Sequence, residues 1–363
     1  MYESRTTEQH LIERFVEDLK ELPEVEAELD YKAQRPPMER EYNAHVALRV
    51  AGKSFILLVE AKKAVYPREV RQMIWHLRER SPAQRSRQER MRLTLLIAET
   101  ISPGAKELLR KEGVGYYDSG GSLFLSAPGA YIYIDKPPPK TLAKSIRALF
   151  SGRRAQVLHA LLVRQRDWFG VTELAREALV SPATASQVLT ELDRFEWLAS
   201  RGQGPSKERH LREPGALLDA WVKQLVTTRL QTLPRYYVAG IKADALAKQL
   251  ADVFESREVD YALTHEAAAQ QLAPFLSHVS QVRARVLVGA SVNAALIDLN
   301  ARPVTEGANL VIIEVKSPGD LLFRERVSEV WLASPIQIYL DLLRGEGRGK
   351  EMAEHFRKER IGF

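Results

Sequence analysis

The sequence predicts a multidomain α/β fold in which alternating helices and strands at both ends flank a middle segment that is nearly all helix. Three observations predict it. A chain of 363 residues exceeds what one hydrophobic core ordinarily fills, so two or three domains are expected. Lys136-Pro137-Pro138-Pro139-Lys140 is a stiff, extended stretch that neither a helix nor a central strand tolerates. A second seam falls near Thr232-Leu233-Pro234-Arg235, after a long helical stretch. The expected domains are therefore 1–139, 140–232 and 233–363.

Composition narrows the class. A hydrophobic fraction of 45% with 28% charged residues is that of a globular chain and excludes wholesale disorder. With no cysteine, disulfides and thiolate zinc sites are impossible, which fits a reducing compartment. The first fifteen residues are polar and lack the apolar run of a signal peptide. No stretch reaches the ~18 consecutive apolar residues of a membrane span. A cytoplasmic protein with no membrane contact is expected.

Charge is unevenly spread. Lys140 to Leu230 holds fifteen Lys and Arg against nine Asp and Glu, which equals the whole chain's net +6, and the two flanks nearly cancel. A second excess, ten basic residues against three acidic, runs from Lys62 to Arg92. Basic stretches are mostly solvated surface, so charge counts only where it meets a motif that binds phosphates.

The first segment opens with a helix over Thr7 to Leu22, with Leu11, Ile12, Phe15, Val16 and Leu19 at helical spacing. Strands at Tyr42–Val50 and Phe55–Ala61 are joined through Ala51-Gly52-Lys53. A basic helix (Pro67 to Arg80), a strand (Leu93–Ala98), a short helix (Ala105–Lys111) and a hairpin-like region to Ile134 complete an α/β order. The apolar strand Phe55-Ile56-Leu57-Leu58-Val59-Glu60-Ala61-Lys62 ends in Glu-x-Lys, and residues two apart on a strand share a face. This resembles the core of the PD-(D/E)xK nuclease fold. The resemblance implies a metal held by the Glu and by an Asp of the preceding strand, with the Lys orienting water. Here Asn43 stands in that Asp position, with Glu41 on the same strand face, and a neutral amide is a poor magnesium ligand. A degenerate nuclease fold is expected, with Mg²⁺ as a cofactor only if Glu60 and Lys62 still cleave DNA. A second Glu-x-Lys, Glu314-Val315-Lys316, has no upstream acid and reads as chance.

The central segment carries the strongest functional signal. A helix over Arg154 to Arg166 buries Val157, Leu158, Leu161 and Leu162, and a short one spans Val171 to Ala178. Leu179-Val180-Ser181 then turns into Ser181-Pro182, a side-chain cap followed by proline at the first helical position. The third helix places Ala185, Val188, Leu189, Leu192 and Phe195 on one face. Its other face is polar. Trp197-Leu198 leads into the glycine-rich, basic stretch Arg201 to Leu211, read as a two-stranded wing. Together these form a winged helix-turn-helix. Thr184, Ser186, Gln187, Thr190 and Arg194 are the candidate groove contacts; Arg201, Lys207 and Arg209 are the candidate wing contacts.

The third segment alternates again, with helices at Ala243–Phe254 and Glu266–Leu276, strands at Val282–Val288 and Leu310–Val315, and helices after Ser334. This smaller α/β domain is similar to nucleotidyltransferases, but Gly289-Ala290-Ser291-Val292-Asn293 lacks their paired carboxylates. The eight histidines show no paired metal-ligand spacing. Trp75, Trp168, Trp197, Trp221 and Trp331 read as core anchors rather than base-stacking platforms.

Three stretches resemble the AbiEi antitoxins of type IV toxin–antitoxin systems and their longer relatives. They are Gly113-Val114-Gly115-Tyr116-Tyr117-Asp118-Ser119-Gly120-Gly121-Ser122, with Gly121 departing from the family's Asn; Arg212 through Trp221; and Ala333 through Leu342 followed by Gly347-Arg348-Gly349-Lys350-Glu351. The resemblance implies a repressor that binds inverted repeats near its own promoter in double-stranded DNA. It also implies a C-terminal domain that neutralises a nucleotidyltransferase-type toxin, with no enzymatic activity. A homodimer is the usual way to read such repeats, although no heptad seam is visible. A metal-dependent endonuclease and a pure interaction protein are the alternatives.

Overall fold

In a computed structural model, residues 2–29, 42–79, 91–164, 167–226, 232–345 and 347–363 are described. Glu41 and the end of the basic helix at Arg80 lie outside them. The chain divides into two compact units: Met1–Arg147 with Glu191–Glu196, and Ala148–Thr190 with Trp197–Phe363. Both are mixed α/β.

The first unit runs α1 (Tyr2–Lys20), β1 (Val25–Leu29), β2 (Ala44–Val50), β3 (Lys53–Val65), α2 (Pro67–Glu79), β4 (Met91–Ile101), α3 (Pro103–Lys111), β5 (Gly115–Asp118), β6 (Leu123–Ala127), β7 (Ala130–Ile134) and the start of α4 (Lys140–Leu149). Its seven strands lie in sequence order, β1 to β7. β1, β2 and β3 pair antiparallel, β3, β4 and β5 parallel, and β5, β6 and β7 antiparallel. The β2–β3 hairpin turns on Ala51 and Gly52, both at positive φ, the backbone that matches a two-residue hairpin to the strand twist. Leu11, Phe15, Val16 and Leu19 of α1 pack with Phe55, Leu57, Val59 and Ala61 of β3 in one core. Val70 and Met73 of α2 and Ala105 and Leu109 of α3 form a second core with Val65, Leu96 and Ala98. Strand alternation thus feeds two apolar layers, as a sheet covered on both faces requires.

The second unit begins with α5 (Gly152–Arg164), α6 (Val171–Glu177) and α7 (Pro182–Arg194), whose last residues belong to the first unit. The antiparallel pair β8 (Leu198–Arg201) and β9 (Glu208–Leu211) follows. Beyond α8 (Pro214–Val226) come β10 (Arg235–Tyr237), α9 (Ala243–Ser256), β11 (Tyr261–Thr264), α10 (His265–Leu272), β12 (Val282–Leu287), α11 (Ala290–Asp298), β13 (Arg302–Pro303) and β14 (Leu310–Val315). A 3-10 turn, Pro318–Leu321, precedes β15 (Glu325–Val327), β16 (Val330–Leu332), α12 (Pro335–Leu342) and α13 (Gly349–Phe356). The seven strands from β10 onward form one sheet in the order β13-β10-β14-β12-β11-β16-β15. β12 runs parallel to β14, and β11 parallel to β16. No helix among the described residues is long and apolar enough to cross a membrane.

One reading of the tryptophans is corrected. Trp221 is buried, but Trp75 is 57% exposed on α2 and anchors no core. The helix turns Val70 and Met73 inward, and Trp75 falls on the opposite face.

Candidate functional site

Each helix of the central segment ends or begins for a local reason. α6 closes with Val180 N–H on Ala175 O (2.9 Å) and Leu179 N–H on Arg176 O (3.2 Å), with Leu179 at φ +50°. These bonds satisfy carbonyls that a helix C-terminus otherwise leaves open. α7 opens with the Ser181 hydroxyl accepting from Thr184 N–H at 3.2 Å and proline at its first position. Ala185, Val188, Leu189 and Leu192 then bury completely, which fixes the face that remains outside.

That outer face carries Ser181, Gln187 and Thr190 exposed, with Thr184 and Ser186 half-buried. The Thr190 hydroxyl is turned back onto its own helix, donating to Ser186 O at 2.9 Å. Gln187 has a neighbour that its own helix does not supply: Arg154 of α5 donates to Gln187 Oε1 at 3.4 Å. Arg154 thus adds charge beside the third helix, and the exposed Arg153 precedes it in α5. Sequence reading passed over both, although the adjacent pair at the start of α5 was the available signal.

In the ribbon, β8 and β9 pair Arg201 opposite Glu208, and Arg201 Nε donates to that carboxylate at 2.7 Å. Its guanidinium also lies 4.3 Å over the Trp168 ring. Lys207 is half-buried at the start of the return strand. Arg209 is 8% exposed and exchanges backbone hydrogen bonds with Phe169, so its side chain faces inward. Arg194 lies within the first unit, 3.4 Å from Glu69 and 4.0 Å over the Tyr66 ring, where Phe195 also packs edge-on. Of the eight predicted contacts, the structure gathers Thr184, Ser186, Gln187 and Thr190 on one face, leaves Lys207 half-buried on the ribbon, and keeps Arg201 exposed there but ion-paired with Glu208. It engages Arg194 and Arg209 elsewhere.

The Glu-x-Lys strand has the predicted geometry. Glu60 and Lys62 share a face of β3 and form an ion pair at 2.9 Å. The Asn43 side-chain oxygen accepts Ala61 N–H at 2.8 Å, and its amide nitrogen donates to Glu8 at 3.3 Å. A divalent cation needs oxygen donors with lone pairs directed at it. Here the amide oxygen is held by the backbone, one carboxylate by Lys62 and the other by the amide itself. Among the described residues no three His, Asp or Glu side chains gather as a metal set. The donor set does not fit a resident magnesium ion.

The motifs that carry the family resemblance are internal braces. Asp118 is fully buried; it accepts Gly120 N–H and Ser122 N–H and pairs with Lys106 at 2.6 Å. Ser122 in turn accepts from Lys136 N–H at 3.1 Å, which pins the chain as it enters the proline stretch. In the second unit, Asp341 receives two bonds from Arg285 (2.8 and 2.9 Å), one from Thr264 (2.6 Å) and one from Gln337 (2.9 Å). Burial raises its pKa, but Arg285 and these bonds outweigh that and hold the carboxyl down to about 2. The Ser334 hydroxyl caps α12 through Gln337 N–H and meets His159 Nε2 of α5. His159 stacks edge-on with Trp221 and Phe323, and burial lowers its pKa to about 4. Asp219 pairs with Arg357 at 2.6 Å. α5, α8 and α12 therefore meet around His159, Trp221 and Ser334.

The comparisons with known proteins bear on this region alone. No curated protein and no solved structure matches the chain. Residues 210–361, which hold Asp219, Trp221, Arg285, Ser334, Asp341 and Arg357, match the model of the family described as "Transcriptional regulator, AbiEi antitoxin, Type IV TA system".

Proposed function

We propose that this chain is a DNA-binding transcriptional regulator of antitoxin type that represses its own operon through a winged helix-turn-helix formed by α5, α6, α7 and the β8–β9 ribbon. One observation carries the reading. The outer face of α7 is a row of short polar side chains with a capped N-terminus, standing over a completely buried inner face. Such a helix end offers hydrogen-bonding groups and free N–H dipoles to base edges and phosphates. Gln187, Thr184 and Ser186 are the groove contacts in this reading, with Arg153, Arg154 and Arg201 meeting phosphates. The C-terminal α/β segment would engage the partner, a toxin of nucleotidyltransferase type. The N-terminal sheet is read as a PD-(D/E)xK-type core whose metal position is closed by Asn43, so the protein acts by binding and not by cleavage.

Fluorescence anisotropy with the duplex upstream of the gene tests the reading. Arg201→Ala should weaken binding to every sequence and flatten the log–log salt slope by about one. Gln187→Ala should change sequence preference at one position, by about 1–3 kcal/mol between bases. No binding to that duplex by the intact protein would end the proposal. A supercoiled plasmid incubated with the protein and Mg²⁺ or Mn²⁺ should stay uncut. Cleavage lost in Glu60→Ala would replace the regulator with an endonuclease.

A further inference from the structure

The basic stretch from Lys62 to Arg92 has no part in the reading of α7, yet its excess of ten basic residues over three acidic is packed into a third of the length of the central one. Most of its described residues lie in α2. Val70 and Met73 face the core, and Arg68, Arg71, Gln72 and Trp75, at i, i+3, i+4 and i+7, share the exposed face. Trp75 is 57% exposed, with the His76 ring edge-on at 4.9 Å. Arg71 is ion-paired with Glu196 at 2.6 Å, but its side chain is still 64% exposed. An indole held this far out of the core on a basic helix offers a surface for contact.

Two features limit what can lie there. The charge calls for a polyanion, and the indole calls for a flat, polarisable face. Duplex DNA offers phosphates but keeps its base faces stacked inside, and an acidic peptide offers carboxylates without a ring. Unpaired nucleotides offer both. We propose that the outer face of α2 binds single-stranded nucleic acid, with Trp75 stacking on an unpaired base and Arg68 and Arg71 meeting phosphates of the same strand. Arg68 lies two helical turns, about 10 Å, from Trp75, so the contacted strand runs along the helix axis. None of these residues belongs to the α7 face of Thr184, Ser186, Gln187 and Thr190.

The test uses the full chain, a fluorescein-labelled oligothymidylate of about ten nucleotides, within the site sizes of such binders, and a hairpin duplex of mixed sequence. Oligothymidylate should bind and quench tryptophan fluorescence. Trp75→Ala should weaken that binding about tenfold, and Trp75→Tyr, which keeps a ring, should stay within about threefold of the parent. Arg68→Ala should lower the salt slope by somewhat less than one, as expected for single strands. Gln187→Ala should leave oligothymidylate binding unchanged, which separates this surface from the groove-reading helix. The residues changed on α2 are exposed, so matched urea midpoints show that each variant is folded. Equal affinity of Trp75→Ala and the parent overturns the proposal. So does a Trp75→Ala defect confined to the hairpin, which would make the face a duplex contact. Displacement of the oligonucleotide by polyglutamate at equal charge concentration overturns it as well, since charge alone would then account for binding.

Discussion

Leu179 is where a single backbone angle decides the geometry of the proposed DNA-binding unit. It occupies φ +50° in the turn between α6 and α7, with its side chain 57% exposed. An L-residue in this region suffers a clash that glycine avoids, roughly 1–2 kcal/mol, and an exposed leucine gains little in return. Leu179→Gly should therefore raise stability, by somewhat less than 1 kcal/mol once the greater freedom of glycine in the unfolded chain is counted. The urea midpoint measures it. A lower midpoint would mean that Leu179 packs on something the exposed face does not account for. The residue scale also marks what sequence alone could reach. Ser181 as a cap and Pro182 as the first helical residue were legible because capping is a local pattern. Asp341 stood out within a motif, but its partners Thr264 and Arg285 lie 77 and 56 residues away. No local rule joins them. Arg209 misled for the opposite reason: a charged residue in a basic stretch reads as surface, and only the bridge to Phe169 shows that it turns inward.

At the scale of elements, α5 shows how a helix can be half understood. Its pattern of Val157, Leu158, Leu161 and Leu162 predicted the inner face correctly. Yet Gln156 through Leu162 are all buried, seven in a row, as happens when a helix is covered on both sides. The second cover comes from the 3-10 turn Pro318–Leu321 and the start of α12. A glycine at position 319 is part of that fit, because a Cβ there would stand 2.0 Å from Gln156 Nε2 and 2.4 Å from its Cδ. Gly319→Ala should destabilise the second unit by about 1–3 kcal/mol, the usual range for overpacking. Gln156→Ala in the same chain should recover most of the loss, giving a coupling energy of opposite sign in a double-mutant cycle. Purely additive effects would mean that α5 does not dock on this turn. The long, periodic elements (α1, β3, α2, α7, α9, β14) were legible for the reason α5 was half legible. Their apolar spacing reflects one dominant core. β1, β10, β13, β15 and β16 were not, since strands of two to five residues carry no period that a sequence window can detect.

For the whole molecule, α5, α6 and α7 up to Thr190 share one compact unit with the C-terminal α/β segment, so conditions that loosen either should loosen both. Acid is such a condition. His159 sits between Ser334, Trp221 and Phe323, and His265 heads α10 beside Asp341; burial lowers each imidazole to about 4. Both folded pKa values lie below the ordinary value near 6.5, so folding favours the neutral rings. Their contribution is complete above pH 6.5 and is lost as pH falls from 6.5 towards 4. Within that window each buried imidazole should remove about 1.4 kcal/mol of stability per pH unit. Asp341 is shifted in the same direction, held down to about 2, and its contribution fades only as pH falls below about 4. Urea unfolding at pH 7.5, 6.0 and 5.0 should show a midpoint that is flat at first and then falls steeply. His159→Asn, which keeps a polar group near Ser334 and cannot take up the proton, should remove roughly half of that slope while the slope from His265 persists. A midpoint unchanged between pH 7.5 and 5.0 would mean that these rings are open to water. The bonds from α5 to α12 would then not tie the helical segment to the C-terminal sheet.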